Sequence, residues 1–169
     1  MRAIILVPAL AMVPGPLAAQ TAPASDLSTD AFIEALTPPA RPTTRGLTPQ
    51  LREQDMPRID LAVEFEFGSH ALTTEARALL SNLAGALHDP ALAEHRFRLA
   101  GHTDAVGSHE VNDRLSLERA EAVRRFLVTE HGIAPERLET AGYGKRRLLF
   151  EEAPEDDRNR RVEVSVMVD

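Results

Sequence analysis

The chain has no cysteine and no tryptophan among its 169 residues, and its aromatic side chains are six phenylalanines and one tyrosine. Without cysteine there can be no disulfide, no thiolate zinc site, no cysteine nucleophile and no lipidated N-terminal cysteine. Basic residues are in deficit, 19 against 26 acidic ones, for a net charge of −7. That balance, with no basic stripe to offset it, speaks against a nucleic-acid partner. Apolar runs are short: Ala3 to Val13 is interrupted by Pro8 and falls below the ~20 residues of a spanning helix. There is no H-x-x-x-H or His/carboxylate cluster and no G-x-S-x-G elbow, so neither a metal site nor a cofactor is expected. His102 near Asp104, with Ser108 or Ser116, is the nearest approach to a catalytic triad; a structural histidine at a strand end is the stronger reading, and no enzyme is expected.

What is present divides into three parts. Residues 1–19 read as a secretory signal, with Arg2 before the apolar run, Pro14-Gly15-Pro16 ending it and Leu17-Ala18-Ala19 as the cleavage region. The mature chain is then exported, with no transmembrane span. Residues 20–57 form an extension rich in Pro, Thr and Ala. Within it Ser28-Thr29-Asp30 caps a short amphipathic helix, stopped by Pro38 and Pro39. This extension is either a tether or a strap on the domain, and it is the segment to which an envelope-protein partner is assigned.

Residues 58–169 are the folded domain. Ile59, Leu61, Val63, Phe65 and Phe67 alternate with Asp60, Ala62, Glu64 and Glu66, the period of a half-buried strand. A helix capped by Thr73 or Thr74 carries Leu72, Ala76, Leu79, Leu80, Leu83 and Leu87 on one face and ends at Asp89-Pro90. Phe97, Leu99 and Gly101 mark a second strand, and a second helix runs from His109 to about Glu130 before Gly132. Arg137 to Ala141 is a short third strand, and Val162, Val164, Val166 and Val168 mark a fourth. The order predicts an α/β two-layer sandwich with a mixed four-stranded sheet and helices on one face.

Two charges stand out. At about 100° per residue, Leu115, Ala122, Val123, Phe126 and Leu127 share one arc of the second helix, and Arg119 falls near its middle. A guanidinium there needs an anionic partner, because an unpaired buried charge costs several kcal/mol. It either forms a structural bridge, to Asp104 or another acid, or stays partly unsatisfied until a ligand arrives. An Asp and an Arg together suit a zwitterionic amino-acid group.

From Val63 to Val166 the chain resembles the OmpA-like, peptidoglycan-associated family. The matching pieces, in family order, include Phe65-Glu66-Phe67-Gly68-Ser69, Gly101-His102-Thr103-Asp104, Leu115-Ser116 with Arg119-Ala120, Gly142-Tyr143-Gly144 and Asn159-Arg160-Arg161-Val162. The resemblance implies a βαβαββ fold and non-catalytic binding of the peptidoglycan peptide stem. It implies that Asp104 and Arg119 hold a diaminopimelate residue, Asp104 on the ammonium and Arg119 on the carboxylate. Arg160 is implied in the same pocket, with Thr103, Asn112 and the Gly68 backbone supplying hydrogen bonds. Each has a plainer reading: Thr103 and Asn112 as turn and capping residues, Arg160 as a support for the Asp104 loop, Gly68, Gly107, Gly142 and Gly144 as turn glycines.

The chain also departs from the family pattern. The loop before the last motif, Arg146 to Asp157, is short and acidic. The missing cysteine excludes the lipoprotein form, and residues 20–57 have no room for a membrane barrel. The expectation is a periplasmic protein held at the cell wall or outer membrane. The alternative is an interaction module of an envelope complex that has lost wall binding.

Overall fold

The computed structural model describes residues 27–39, 55–66 and 69–168. The anticipated signal segment 1–19 and most of the 20–57 extension lie outside the described residues, as do Phe67 and Gly68. In chain order the elements are α1 (Thr29–Leu36), β1 (Arg58–Leu61), α2 (Thr74–His88), β2 (Phe97–His102), α3 (His109–His131), β3 (Leu138–Gly144) and β4 (Val162–Val166). Short 3₁₀ turns at Pro135–Arg137 and Asp157–Asn159 precede the last two strands.

The sheet order is β1-β4-β2-β3, antiparallel except where β2 runs parallel to β3. One row across it joins Ile59, Val164, Leu99 and Thr140; the next row on the same face joins Leu61, Val162, Gly101 and Gly142. This face is covered by α2 and α3, giving the two-layer α/β architecture. Its core contains Leu79, Leu80, Leu83 and Leu87 of α2 with Val123, Phe126 and Leu127 of α3.

Helix ends follow their local chemistry. Thr73 Oγ1 accepts from Ala76 N and Ser108 Oγ from Val111 N, each satisfying an orphan donor of the first turn. Gly132 closes α3 in the left-handed conformation at φ 66°.

Three strand expectations are corrected. The alternation from Ile59 to Phe67 predicts one long strand, but β1 stops at Leu61. Leu61 pairs with Val162, the first residue of β4, so no partner strand extends further. Phe65 instead bridges Leu72, and Glu66 N donates to Ala71 O. Val168 lies beyond β4 and is exposed. The third strand begins at Leu138 and runs through the glycines to Gly144, with Arg137 in the preceding turn.

Gly101 and Gly142 are floor positions within the sheet, so Gly142 is not the turn glycine expected. A Cβ on Gly101 would collide with the Ser116 carbonyl, and one on Gly142 would stand 2.8 Å from Asp113 O and Leu117 N. Ser116 and Ala120 are fully buried, so small residues on both sides bring α3 close to β2 and β3. Gly144 has φ 52°.

The described part of the extension is a strap. Phe32 and Leu36 of α1 are completely buried in the core, a contribution of roughly 1.5–3 kcal/mol each. Asn82 of α2 donates to Leu27 O at 2.9 Å and accepts from Thr29 Oγ1 at 3.3 Å. Among the described residues no helix is long and apolar enough to cross a membrane.

Candidate functional site

The loop between β2 and α3 is fixed from several sides. Thr103 N donates to Gly144 O and Ala105 N to Pro154 O. Asn112 Nδ2 donates to Val106 O at 2.8 Å, and Lys145 Nζ reaches Ala105 O and Gly107 O. Thr103 Oγ1 donates to the Asp104 carbonyl. Gly107, at φ 89°, takes the left-handed turn that leads into Ser108. The result is a rigid platform for Asp104, whose Oδ1 accepts from Val106 N at 3.1 Å.

The three residues of the Asn159-Arg160-Arg161 motif do three different things. Asn159 is wholly buried. Its Oδ1 accepts from Leu149 N and Phe150 N, and its Nδ2 donates to Ala153 O and Pro154 O, pinning the acidic loop. Arg160 Nη1 donates to Asp104 Oδ2 at 2.9 Å and also bonds Asp157. Arg161 turns to the other sheet face, where Nε meets Asp60 Oδ1 at 2.7 Å with side chains only 6% and 4% exposed. The alternation predicts an outward, solvated Asp60; the structure buries it beneath this bridge.

Arg119 lies within the buried arc of α3, which runs through Asn112, Ser116, Ala120, Val123 and Leu127. Its guanidinium rests 4.8 Å from the centroid of the Phe65 ring. Nε is buried and has no hydrogen-bond partner among the described residues. Burial holds the Arg119 pKa below its usual value, the Arg160 charge adds to that effect, and Asp104 opposes it. Together Ala62, Val63, Glu64, Phe65, Arg119, Asp157, Arg158 and Arg160 line a cleft of about 430 Å³. A half-buried guanidinium with no ion pair among the described residues can receive a carboxylate in a two-pronged contact.

Asp104, Arg119 and Arg160 are thus brought together, but the bridge differs from the one anticipated. Asp104 pairs with Arg160, while Arg119 has no ion pair among the described residues. The reason is reach: Arg160, at the mouth of β4, faces both Asp104 and Asp157, whereas Arg119 is drawn onto Phe65. Thr103 and Asn112 are buried in the loop bonds above and do not line the cleft; Asp104 is not among its lining residues either and meets it through Arg160. Gly68 is outside the described residues. Glu64, Asp157 and Arg158 are cleft residues that sequence reasoning did not single out. Their only signal was adjacency to the Phe65 and Arg160 motifs.

His102 is 1% exposed, and neither ring nitrogen has a hydrogen-bond partner among the described residues. Burial first, then the Arg161 charge, lower its pKa to about 3. Ser108 Oγ caps α3, and Ser116 Oγ donates to Asp113 O and accepts from Gly144 N. Both hydroxyls are therefore committed away from His102.

Comparison with known proteins agrees with this architecture. A model described as the OmpA family matches residues 64–161. Outer membrane porin F of Pseudomonas fluorescens is 38% identical over 112 residues, covering 64% of this chain and 33% of that protein. The peptidoglycan-associated lipoprotein of Pseudomonas aeruginosa is 39% identical over 102 residues, covering 59% and 58% respectively. The crystal structure of the peptidoglycan-associated lipoprotein from Burkholderia pseudomallei superposes with a TM-score of 0.52 at 30% identity, over 62% of this chain and 88% of that one. The chain therefore spans about a third of the length of the porin and somewhat more than half of the Pseudomonas lipoprotein.

Proposed function

The chain belongs to the OmpA family, and from that premise we propose that it binds the peptide stem of peptidoglycan in the Arg119 cleft, without catalysis, and so anchors itself at the cell wall. One observation carries the reading. Arg119 presents a partly desolvated guanidinium with an unpartnered Nε and no ion pair among the described residues. The names of the lipoprotein relatives supply the ligand class.

The ligand group is the free end of diaminopimelate, which bears an ammonium and a carboxylate on one carbon. Arg119 takes the carboxylate in a two-pronged contact. Asp104 takes the ammonium: its two oxygens carry about four lone-pair sites, and among the described residues only Val106 N and Arg160 Nη1 occupy them. Arg160 holds Asp104 in place and lines the cleft. Thr103 and Asn112 act through the loop that carries Asp104. The N-terminal segment, read as a signal, places the protein in the periplasm.

Titration of the purified protein with a diaminopimelate-containing stem tripeptide tests this. Asp104→Ala and Arg119→Ala should each weaken binding by about 2–5 kcal/mol, the range for truncating one member of a desolvated charge pair. A folded Arg119→Ala protein with unchanged affinity would overturn the two-point grip.

A further inference from the structure

The cleft holds three guanidinium groups, and they differ in how far they are committed. Arg160 is shared between Asp104 and Asp157, both bonded through Nη1, and is held between the two acids that flank it. Arg119 is uncommitted. Arg158 is intermediate: Nε and Nη2 donate to the two oxygens of Asp156 at 3.0 and 2.8 Å. The group also stacks 4.0 Å from the Phe150 ring centroid. Phe150 N is in turn fastened to the buried Asn159. These contacts fix the plane of Arg158 and use one edge of its fork, leaving Nη1 without a hydrogen-bond partner among the described residues and the side chain 61% exposed at the cleft wall. A guanidinium oriented by a carboxylate on one edge and a ring beneath it loses little freedom when it takes a second anion.

We propose that Arg158 is a specificity-determining residue that receives a second carboxylate of the bound peptide, so that the cleft prefers stems carrying a free α-carboxylate over those carrying a carboxamide at that position. This rests on the reading of the cleft as a peptide-stem site. In such a stem the glutamate is joined through its side-chain carboxyl, which leaves its α-carboxylate free one residue away from the diaminopimelate. Arg119 takes the carboxylate of the diaminopimelate end, and Arg158 takes this one. A carboxamide there brings no charge and offers a single acceptor oxygen, so the Nη1 edge gains only a neutral hydrogen bond.

Two ligands and three proteins test it: L-Ala-γ-D-Glu-diaminopimelate and its carboxamide analogue, each titrated into wild type, Arg158→Gln and Arg119→Ala, with melting curves to verify folding. The wild type should favour the free acid by about five- to tenfold, the size of one charge-assisted bond at a partly exposed position. Arg158→Gln should bind both ligands with the affinity that the wild type has for the carboxamide, erasing the preference. Arg119→Ala should lose affinity for both. Equal wild-type affinity for acid and carboxamide, or a preference that survives Arg158→Gln, would overturn the role of Arg158 and leave the Arg119 site standing. Binding of neither ligand to the wild type would overturn the stem-site reading itself, and the Arg158 proposal with it.

Discussion

Replacing Arg161 with methionine should remove about 3–5 kcal/mol of stability, the cost of leaving one member of a buried ion pair alone. The pair joins β1 to the end of the acidic loop across the sheet, 101 residues apart in sequence. Without the guanidinium, Asp60 would sit 3% exposed opposite Glu163, whose own carboxyl pKa is already raised by burial and by the Asp60 charge. Small domains have about 5–15 kcal/mol in total, so the loss is a large fraction. Urea denaturation followed by circular dichroism at 222 nm measures it. The informative partner is Asp60→Leu/Arg161→Met. Because the desolvation cost of both charges disappears together, the double variant should recover most of the loss and leave a deficit of less than about 2 kcal/mol. A single-variant loss below about 1 kcal/mol, as for an exposed pair, would refute the reasoning. So would a double variant as unstable as the sum of the singles.

Further outcomes follow from the fold. Gly101→Ala must push α3 off the sheet at Ser116 and should cost at least the upper part of the roughly 1–3 kcal/mol typical of overpacking, read from the denaturation midpoint. Phe32→Ala should destabilise the whole domain by about 3–5 kcal/mol, in one cooperative transition, because α1 shares the core; a separate early transition would mean that the strap melts alone. For His102, whose folded pKa of about 3 lies below an unfolded value near 6.5, the unfolded chain takes up the proton first. The stability due to neutral His102 is therefore complete above about pH 6.5, falls as pH drops, and levels off near pH 3, with a slope of up to about 1.4 kcal/mol per pH unit. His102→Gln should flatten the stability profile between pH 6 and 4 relative to wild type; parallel profiles would contradict the assignment.

Local signals were the legible ones. Thr73 and Gly132 mark helix ends because capping depends on a few adjacent residues. The alternating valines of β4 reveal which side faces the helices. Pairings across the chain were less legible. Three arginines, Arg119, Arg160 and Arg161, and three acids, Asp60, Asp104 and Asp157, offer many bridges, and only the folded register assigns Arg160 to Asp104 and Arg161 to Asp60. The end of β1 depends on where β4 begins, which alternation within residues 59–67 cannot show. Arg137 illustrates the same limit: charged and read as strand, it donates to the carbonyls of Leu87, Leu92 and His95, tying the end of α2 to the start of β3. The glycine floor under α3 was hidden for another reason, since a glycine in an alternating pattern carries no side chain to show which face it occupies.

The central claim is that the unpaired Arg119 cleft is a cell-wall receptor. Co-sedimentation of the purified protein with isolated peptidoglycan sacculi, wild type beside Arg119→Ala, tests it most directly, with circular dichroism to verify that both are folded. Wild type should pellet with the sacculi while the folded variant stays in the supernatant. Equal pelleting of both, or of neither, would contradict the account.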